Sequence, residues 1–128
     1  ARAFAEYLRG NNPARALKIV VSSDARPSSP ELKKAVIEGL LDEGVAIIDF
    51  GFTTTPYHYH CIVAEEASGG IMVTASHNPF RMNGLKLSKE GADKKHCREE
   101  YIFRQAAAWR SNRKSTNPRL YRIFTLSC

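Results

Sequence analysis

Three short runs of apolar and β-branched residues, separated by segments with helical periodicity, constrain the fold of this chain most strongly. The runs lie at residues 17–21, 45–50 and 70–74, and each predicts a buried strand. Strands that alternate with amphipathic helices predict an α/β fold. We therefore expect a three-layer α/β/α sandwich with a mixed, largely parallel sheet, and one more short strand at residues 84–87.

The segments between these strands carry apolar residues at helical spacing. They predict a first helix that ends at Gly10–Pro13, a second that ends just before Gly44, and a third over residues 57–67. Ser28 and Glu31 have the spacing of a capping box, which predicts that the second helix begins there.

Three polar loops follow the predicted strands, at residues 22–29, 51–56 and 75–79. Ligands of open α/β sheets bind at the carboxyl ends of the strands, so we expect a functional site where these loops meet. Ser76 in the third loop is followed directly by His77. Taken alone, this pair favours an ordinary turn serine over a nucleophile, because neighbouring residues rarely point at one another.

The exact order of residues in the third loop identifies a protein family much more specifically than its composition does. Residues 69–79 read G-G-I-M-V-T-A-S-H-N-P, and N-G-L-K follows at residues 83–86. This segment resembles the phosphoserine loop of the α-D-phosphohexomutases, the family of phosphoglucomutase, phosphomannomutase and phosphoglucosamine mutase. Residues 24–29 are similar to the family's G-x-D-x-R-x-S loop, and residues 51–56 to its G-x-x-x-T-P segment. The resemblance implies the first of the family's four domains.

The resemblance implies that Ser76 carries a transferable phosphoryl group. In this family the phosphoserine gives its phosphate to a hexose monophosphate, here glucose or mannose 1- or 6-phosphate, and the bisphosphate intermediate then returns its other phosphate to the serine. The implied cofactor is Mg²⁺, held through the phosphoryl oxygen on Ser76 and by ligands from another domain. Storing the phosphoryl group on a serine divides the transfer into two steps.

Three nearby residues are implied to assist this chemistry. Arg26 would place its guanidinium on phosphate oxygens, Lys86 would help proton transfer at the reacting hydroxyl, and His77 would orient the phosphoserine region. Without the resemblance, Arg26 reads as a solvated loop arginine, Lys86 as a surface lysine and His77 as a hydrogen-bonded turn residue.

The chain also departs from the family. Ser22 and Ser23 stand where the family usually has Gly and Arg, and neither the T-S-G-x-R-G motif nor the D-G-D-x-D-R metal loop occurs. The chain begins at Ala1, within a predicted helix. We therefore expect a fragment of domain I whose partners are the remaining mutase domains, and which is inactive by itself. A folded but noncatalytic remnant is an alternative.

Charge divides the chain into two parts. Residues 1–87 hold nine basic and nine acidic residues, whereas residues 88–128 hold ten and four and so carry the whole net charge of +6. We predict a mutase domain at residues 1–91, with the phosphoserine loop at residues 74–79, and a basic tail at residues 92–128 that is unlike mutase sequence and could arise from a reading-frame change.

The basic tail leaves a second function class open. Tyr101, Ile102, Ala106 and Trp109 have the spacing of a short helix. Aromatic and basic residues interleaved there would suit a nucleic-acid-binding module, although the neutral first part makes nucleic acid an unlikely partner.

Other classes are excluded or disfavoured. No apolar run reaches the roughly 20 residues of a membrane span, and no secretory signal is visible, so we expect a cytoplasmic protein. The three cysteines form no C-x-x-C pair, which argues against a zinc site. The cluster at Tyr57–His60 is predicted to begin a helix and pack rather than bind metal.

Overall fold

One mixed β-sheet forms the middle layer of the computed structural model, which describes residues 1–11, 13–14 and 16–91 and the backbone of residues 100–103 and 123–125. The elements follow in the order α1 Arg2–Asn11, β1 Lys18–Ser23, α2 Ser29–Leu41, β2 Ala46–Phe52, α3 Thr55–Ala64, β3 Gly69–Val73, β4 Asn83–Lys89, β5 Glu100–Phe103 and β6 Ile123–Thr125.

The described strands are arranged in the order β5-β4-β3-β1-β2-β6. Strand β1 pairs in parallel with β2 and β3, and β6 pairs in parallel with β2. The pairs β3–β4 and β4–β5 are antiparallel. The sheet is therefore mixed, as predicted.

Two apolar cores separate the sheet from its helices. On one face, Phe4 and Leu8 of α1 and Leu40 of α2 pack with Ile19 and Ile71 of the sheet. On the opposite face, α3 packs through a smaller cluster. Its fully or nearly fully buried members are Val20, Ile48, Cys61, Ile62 and Ala67. The predicted three-layer α/β/α sandwich is confirmed.

The capping-box prediction for the second helix is wrong. Ser28 is the N-cap residue of α2, but its side chain makes no capping hydrogen bond. Its Oγ accepts a hydrogen bond from Asn83 Nδ2 instead, at 2.9 Å. The Ser28 hydroxyl, which the local sequence pattern predicted to cap the helix, therefore forms a tertiary hydrogen bond instead.

The tail contributes two strands to the sheet. Tyr101 and Ile102, predicted to be helical, lie in β5, where pairing with β4 overrides the helical spacing. Ala106 and Trp109 lie outside the described residues, as do Cys97 and Cys128. The domain boundary at Gly91 stays a prediction. In the part of the chain that the structure describes, no helix has the length and apolar character needed to cross a bilayer.

Candidate active site at the carboxyl edge of the sheet

The loop from Thr74 to Met82, called the serine loop below, joins β3 to β4 at the carboxyl edge of the parallel strands. The Thr74 hydroxyl accepts a hydrogen bond from the backbone N–H of Ser76 at 3.0 Å. The backbone N–H of Asn78 donates to the carbonyl of Ala75, also at 3.0 Å. These bonds wind the chain into a tight turn that leaves Ser76 exposed to solvent.

Ser76 adopts a left-handed backbone conformation, with φ of 53°. A residue other than glycine pays about 1–3 kcal/mol to be held there, because its Cβ crowds the backbone. Glycine would fit this turn more cheaply. Glu66, at the end of the third helix, has a similar φ of 49°. Residues held in this way are found often at active sites, although not only there.

His77 lies next to the exposed hydroxyl. Its Nδ1 is 3.2 Å from Ser76 Oγ, within hydrogen-bonding distance. The imidazole can accept the serine proton or, when protonated, can donate to an oxygen on the serine. Residues adjacent in sequence rarely point at each other, so this contact was not expected from the Ser-His pair alone.

Arg26, from the loop after β1, reaches across to the serine loop. Its Nη2 donates to the carbonyls of Ser76 and Asn78, both at 2.9 Å. Its Nη1 donates to the carbonyls of Pro79 and Met82, at 2.8 and 3.0 Å. The predicted meeting of the first and third polar loops therefore occurs, and this arginine makes it.

Asp24 holds the other end of the guanidinium. Its Oδ2 accepts from Arg26 Nε at 2.9 Å and from the Thr74 hydroxyl at 2.8 Å, and its Oδ1 accepts from the Ser29 hydroxyl at 2.7 Å. Burial raises the pKa of Asp24, but the hydrogen bonds from the two hydroxyls and from Arg26 outweigh burial and hold the pKa below its usual value. The carboxylate is therefore charged at neutral pH.

Asn83 connects this network to the second helix. It is buried, and its Nδ2 donates to the hydroxyls of Ser28 and Ser29 at 2.9 and 3.0 Å. Its Oδ1 accepts the backbone N–H of Gly84 at 2.9 Å. Asn83 and Gly84 of the sequence motif thus have a structural role, because their hydrogen bonds fix the position at which β4 begins after the serine loop.

No hydrogen bond joins Lys86 to Ser76 in the part of the chain that the structure describes. It lies in β4 opposite Met72, and its partly buried side chain makes no hydrogen bond or ion pair with any described residue. The loop at residues 51–56 contacts β1, where the Thr53 N–H donates to the Ser23 carbonyl at 3.0 Å. No hydrogen bond joins that loop to the serine loop among the described residues.

His58 of α3 is a buried polar residue that sequence reasoning assigned to packing. It is fully buried, and its Nδ1 lies 2.8 Å from Ser22 Oγ. Its Nε2 has no partner among the described residues. Burial, with a smaller contribution from the positive charge of Lys86, lowers the pKa of His58 from 6.5 to about 4. The Ser22 position, where the family usually has glycine, supplies the partner that the histidine needs.

No group of three or more metal-binding side chains occurs among the described residues. The carboxylate nearest to the serine loop, that of Asp24, is already committed to Arg26 and two hydroxyls.

The chain is similar in sequence to proteins named as sugar-phosphate mutases. The chain is 42% identical over 91 residues to a phosphomannomutase from Vibrio cholerae, covering 71% of the chain and 19% of that protein. It is 44% identical over 85 residues to a probable phosphoglucosamine mutase from Pyrococcus abyssi, covering 66% and 18%. The chain thus spans about a fifth of the length of these relatives.

A solved structure and a family model agree with these relatives. A phosphoglucomutase/phosphomannomutase family protein from Burkholderia thailandensis superposes with a TM-score of 0.61 at 35% identity, covering 70% of this chain and 21% of that one. Residues 1–113 match the family model described as phosphoglucomutase/phosphomannomutase, alpha/beta/alpha domain I. That match extends beyond Gly91, and the chain belongs to this family of mutase domains.

Proposed function

We propose that this domain carries the phosphoserine of a hexose phosphate mutase, with Ser76 as the carrier. The observation that supports this most directly is the left-handed backbone of an exposed serine, which costs free energy that a glycine would save. Family membership supplies the chemical class, because the matched relatives are named as sugar-phosphate mutases.

In the proposed step, the bond from phosphorus to Ser76 Oγ breaks while a bond to a hexose hydroxyl oxygen forms. The proton of that hydroxyl leaves, and Ser76 Oγ is left as the hydroxyl. The bisphosphate then returns its other phosphoryl group by the reverse exchange, so that 1- and 6-phosphates are interconverted. Glucose and mannose phosphates are the proposed substrates, and phosphoglucosamine is an alternative.

The neighbouring side chains have separate proposed roles. His77, with Nδ1 at 3.2 Å from Ser76 Oγ, orients the hydroxyl and can exchange a proton with it. Lys86 has no side-chain partner among the described residues, so its ammonium group is available to the reacting sugar hydroxyl. Magnesium would contact the phosphoryl oxygen on Ser76 and would need its other ligands from outside the described residues.

The test is phosphoryl uptake. A full-length mutase that contains this domain is incubated with radiolabelled glucose 1,6-bisphosphate and excess Mg²⁺, and the label is mapped by peptide sequencing. The full-length form is used because the chain covers only 19% of the phosphomannomutase that it matches. We expect one phosphoryl group on the peptide that contains Ser76, and label on another serine would contradict the proposal.

Two substitutions separate the chemistry of Ser76 from its structural part. Ser76→Gly keeps the turn and relieves the backbone strain, so we expect an increase in the free energy of unfolding of about 1 kcal/mol with complete loss of uptake. Ser76→Ala removes the hydroxyl but keeps the Cβ strain, and it should lose uptake without that gain. Uptake retained by either variant would exclude Ser76 as the carrier.

A further inference from the structure

Arg26 uses every hydrogen-bond donor that an arginine has. A guanidinium carries five N–H groups. In this structure one N–H goes to Asp24 and the other four go to backbone carbonyls of the serine loop, all within 3.0 Å. No N–H remains for a phosphate oxygen while these bonds are kept.

We infer that Arg26 is a positioning residue that holds the serine loop in its reactive shape, and not a ligand of the transferred phosphate. The inference rests on the proposed role of Ser76 and deepens it. It differs from the role expected from sequence, in which the guanidinium was to contact phosphate oxygens.

The distribution of the four carbonyls explains why an arginine is needed. They belong to Ser76, Asn78, Pro79 and Met82 and are therefore distributed along most of the serine loop. A planar fork with donors on both terminal nitrogens can contact all four together. A lysine presents three donors from one atom and cannot span them. These hydrogen bonds hold the four loop carbonyls in one orientation, toward Arg26.

The charges around Arg26 agree with this role. Its side chain is only 10% exposed, and the carboxylate of Asp24 already compensates its positive charge. The same carboxylate binds the Thr74 hydroxyl, which in turn accepts the Ser76 N–H. Arg26 and Asp24 therefore fix the backbone of Ser76 from its carbonyl side and its amide side, which is how a strained φ can be maintained.

The first test uses the unaltered chain and the NMR signals of arginine side chains. A guanidinium held by five hydrogen bonds should give four separate Nη–H signals, whereas Arg81, which is exposed in the same loop, should give averaged signals. We expect the Arg26 signals to stay unchanged when inorganic phosphate is added up to millimolar concentration. Averaged Arg26 signals, or signals that shift with phosphate, would overturn the inference.

The second test compares Arg26→Lys with the control Arg81→Lys by amide hydrogen exchange. Three loop amides, those of Ser76, Asn78 and Met82, donate hydrogen bonds within the loop. In Arg26→Lys we expect their protection to fall about tenfold or more relative to the amide of Ile71 in the buried strand β3, and in Arg81→Lys we expect no change. Equal protection of the loop in both variants would overturn the inference.

A kinetic comparison links the loop to the chemistry. In the phosphoryl-uptake assay, a positioning role predicts that Arg26→Lys lowers the maximal rate of uptake by about a hundredfold or more and changes the half-saturating bisphosphate concentration by less than about threefold. A group that binds the phosphate equally in the bound state and the transition state would instead raise the half-saturating concentration and leave the maximal rate unchanged. If a full-length mutase that contains the unaltered domain takes up no phosphoryl group, the proposed function has failed, and the two structural tests still decide the part played by Arg26 in the loop.

Discussion

Single residues in this domain show two different ways in which a polar group is used. The Ser76 hydroxyl is exposed, and its backbone is strained to present it. The His58 imidazole is fully buried, and its Nε2 has no hydrogen-bond partner among the residues that the structure describes. Both arrangements cost free energy. The first is explained by the proposed chemistry, and the second sets how stability responds to acid.

The lowered pKa of His58 predicts acid sensitivity. The folded state holds its pKa at about 4, below the ordinary value of 6.5, so the folded protein binds fewer protons than the unfolded chain between these values. The contribution to stability is complete above about pH 6.5 and is lost as the pH falls toward 4. Its size is about 3 kcal/mol.

The measurement is urea unfolding of the chain and of two variants between pH 4 and pH 7. We expect His58→Leu to lose this part of the pH dependence, while His60→Leu, which changes an exposed histidine on the same helix, keeps it. Parallel curves for the unaltered chain and His58→Leu would show that His58 is protonated freely in the folded state.

Among the secondary-structure elements, side-chain contacts between strand and helix decide where α2 and β4 begin. Asn83, the first residue of β4, donates to two serines at the start of α2, although 54 residues separate it from Ser29 in the chain. The helix therefore relies on a neighbouring strand for order at its first turn.

This contact predicts a large effect from a small substitution. Asn83→Ala removes both donated hydrogen bonds and leaves the buried Gly84 N–H without its acceptor, so we expect a loss of about 2–4 kcal/mol in the free energy of unfolding. Asn11→Ala, at the exposed end of α1, should change it by less than about 0.5 kcal/mol. A small effect of Asn83→Ala in denaturant unfolding would mean that water replaces its contacts.

The elements also show which features local sequence can predict. Strands β1 and β3 were predictable because their apolar runs are buried on both faces, and β2 because its central residues Ile47 and Ile48 are buried. The Ser28 cap was not, since Asn83 competes for its hydroxyl from a distant part of the chain. The helix proposed at Tyr101 failed for the same kind of reason, because pairing with β4 decides its conformation.

The candidate site was predictable to a similar extent. The T-A-S-H-N-P string located Ser76 and His77, and strand order brought the Arg26 loop to the same edge. The number of hydrogen bonds that Arg26 donates was not predictable, because every residue has a backbone carbonyl and the sequence does not show which carbonyls face the arginine. The His58–Ser22 pair was likewise hidden, since neither residue alone suggests a contact across 36 positions.

Considered as a whole molecule, the domain presents the exposed Ser76 with its supporting side chains, and its described residues include no cluster of three or more metal-binding side chains. Asp24 is bonded to Arg26, and Asp49 accepts hydrogen bonds from Lys33 and from the Gly51 N–H at 2.9 and 2.8 Å. Hard divalent cations need several free oxygen ligands. We therefore propose that the magnesium ligands other than the phosphoryl oxygen come from other parts of a mutase.

This arrangement predicts weak magnesium binding by the unphosphorylated chain. In isothermal calorimetry at pH 7 we expect a dissociation constant above about 1 mM, with no difference between the chain and Asp24→Asn. Binding in the micromolar range would contradict the prediction. A loss of such binding in Asp24→Asn would identify Asp24 as a ligand.

The contact between Gly70 and His58 restricts the order in which substitutions at these positions can be accepted during evolution. A Cβ added at Gly70 would lie 2.7 Å from His58 Nε2 and 2.5 Å from Ile62 Cδ1, both too close for atoms not bonded to each other. A larger residue at position 70 is thus tolerated only after both neighbours on α3 have become smaller or moved. Ser22 is bound to the same histidine, and its hydroxyl loses its partner once that histidine is replaced. Positions 22, 58, 62 and 70 should therefore be inherited as a set, with substitutions on the helix preceding any on the strand.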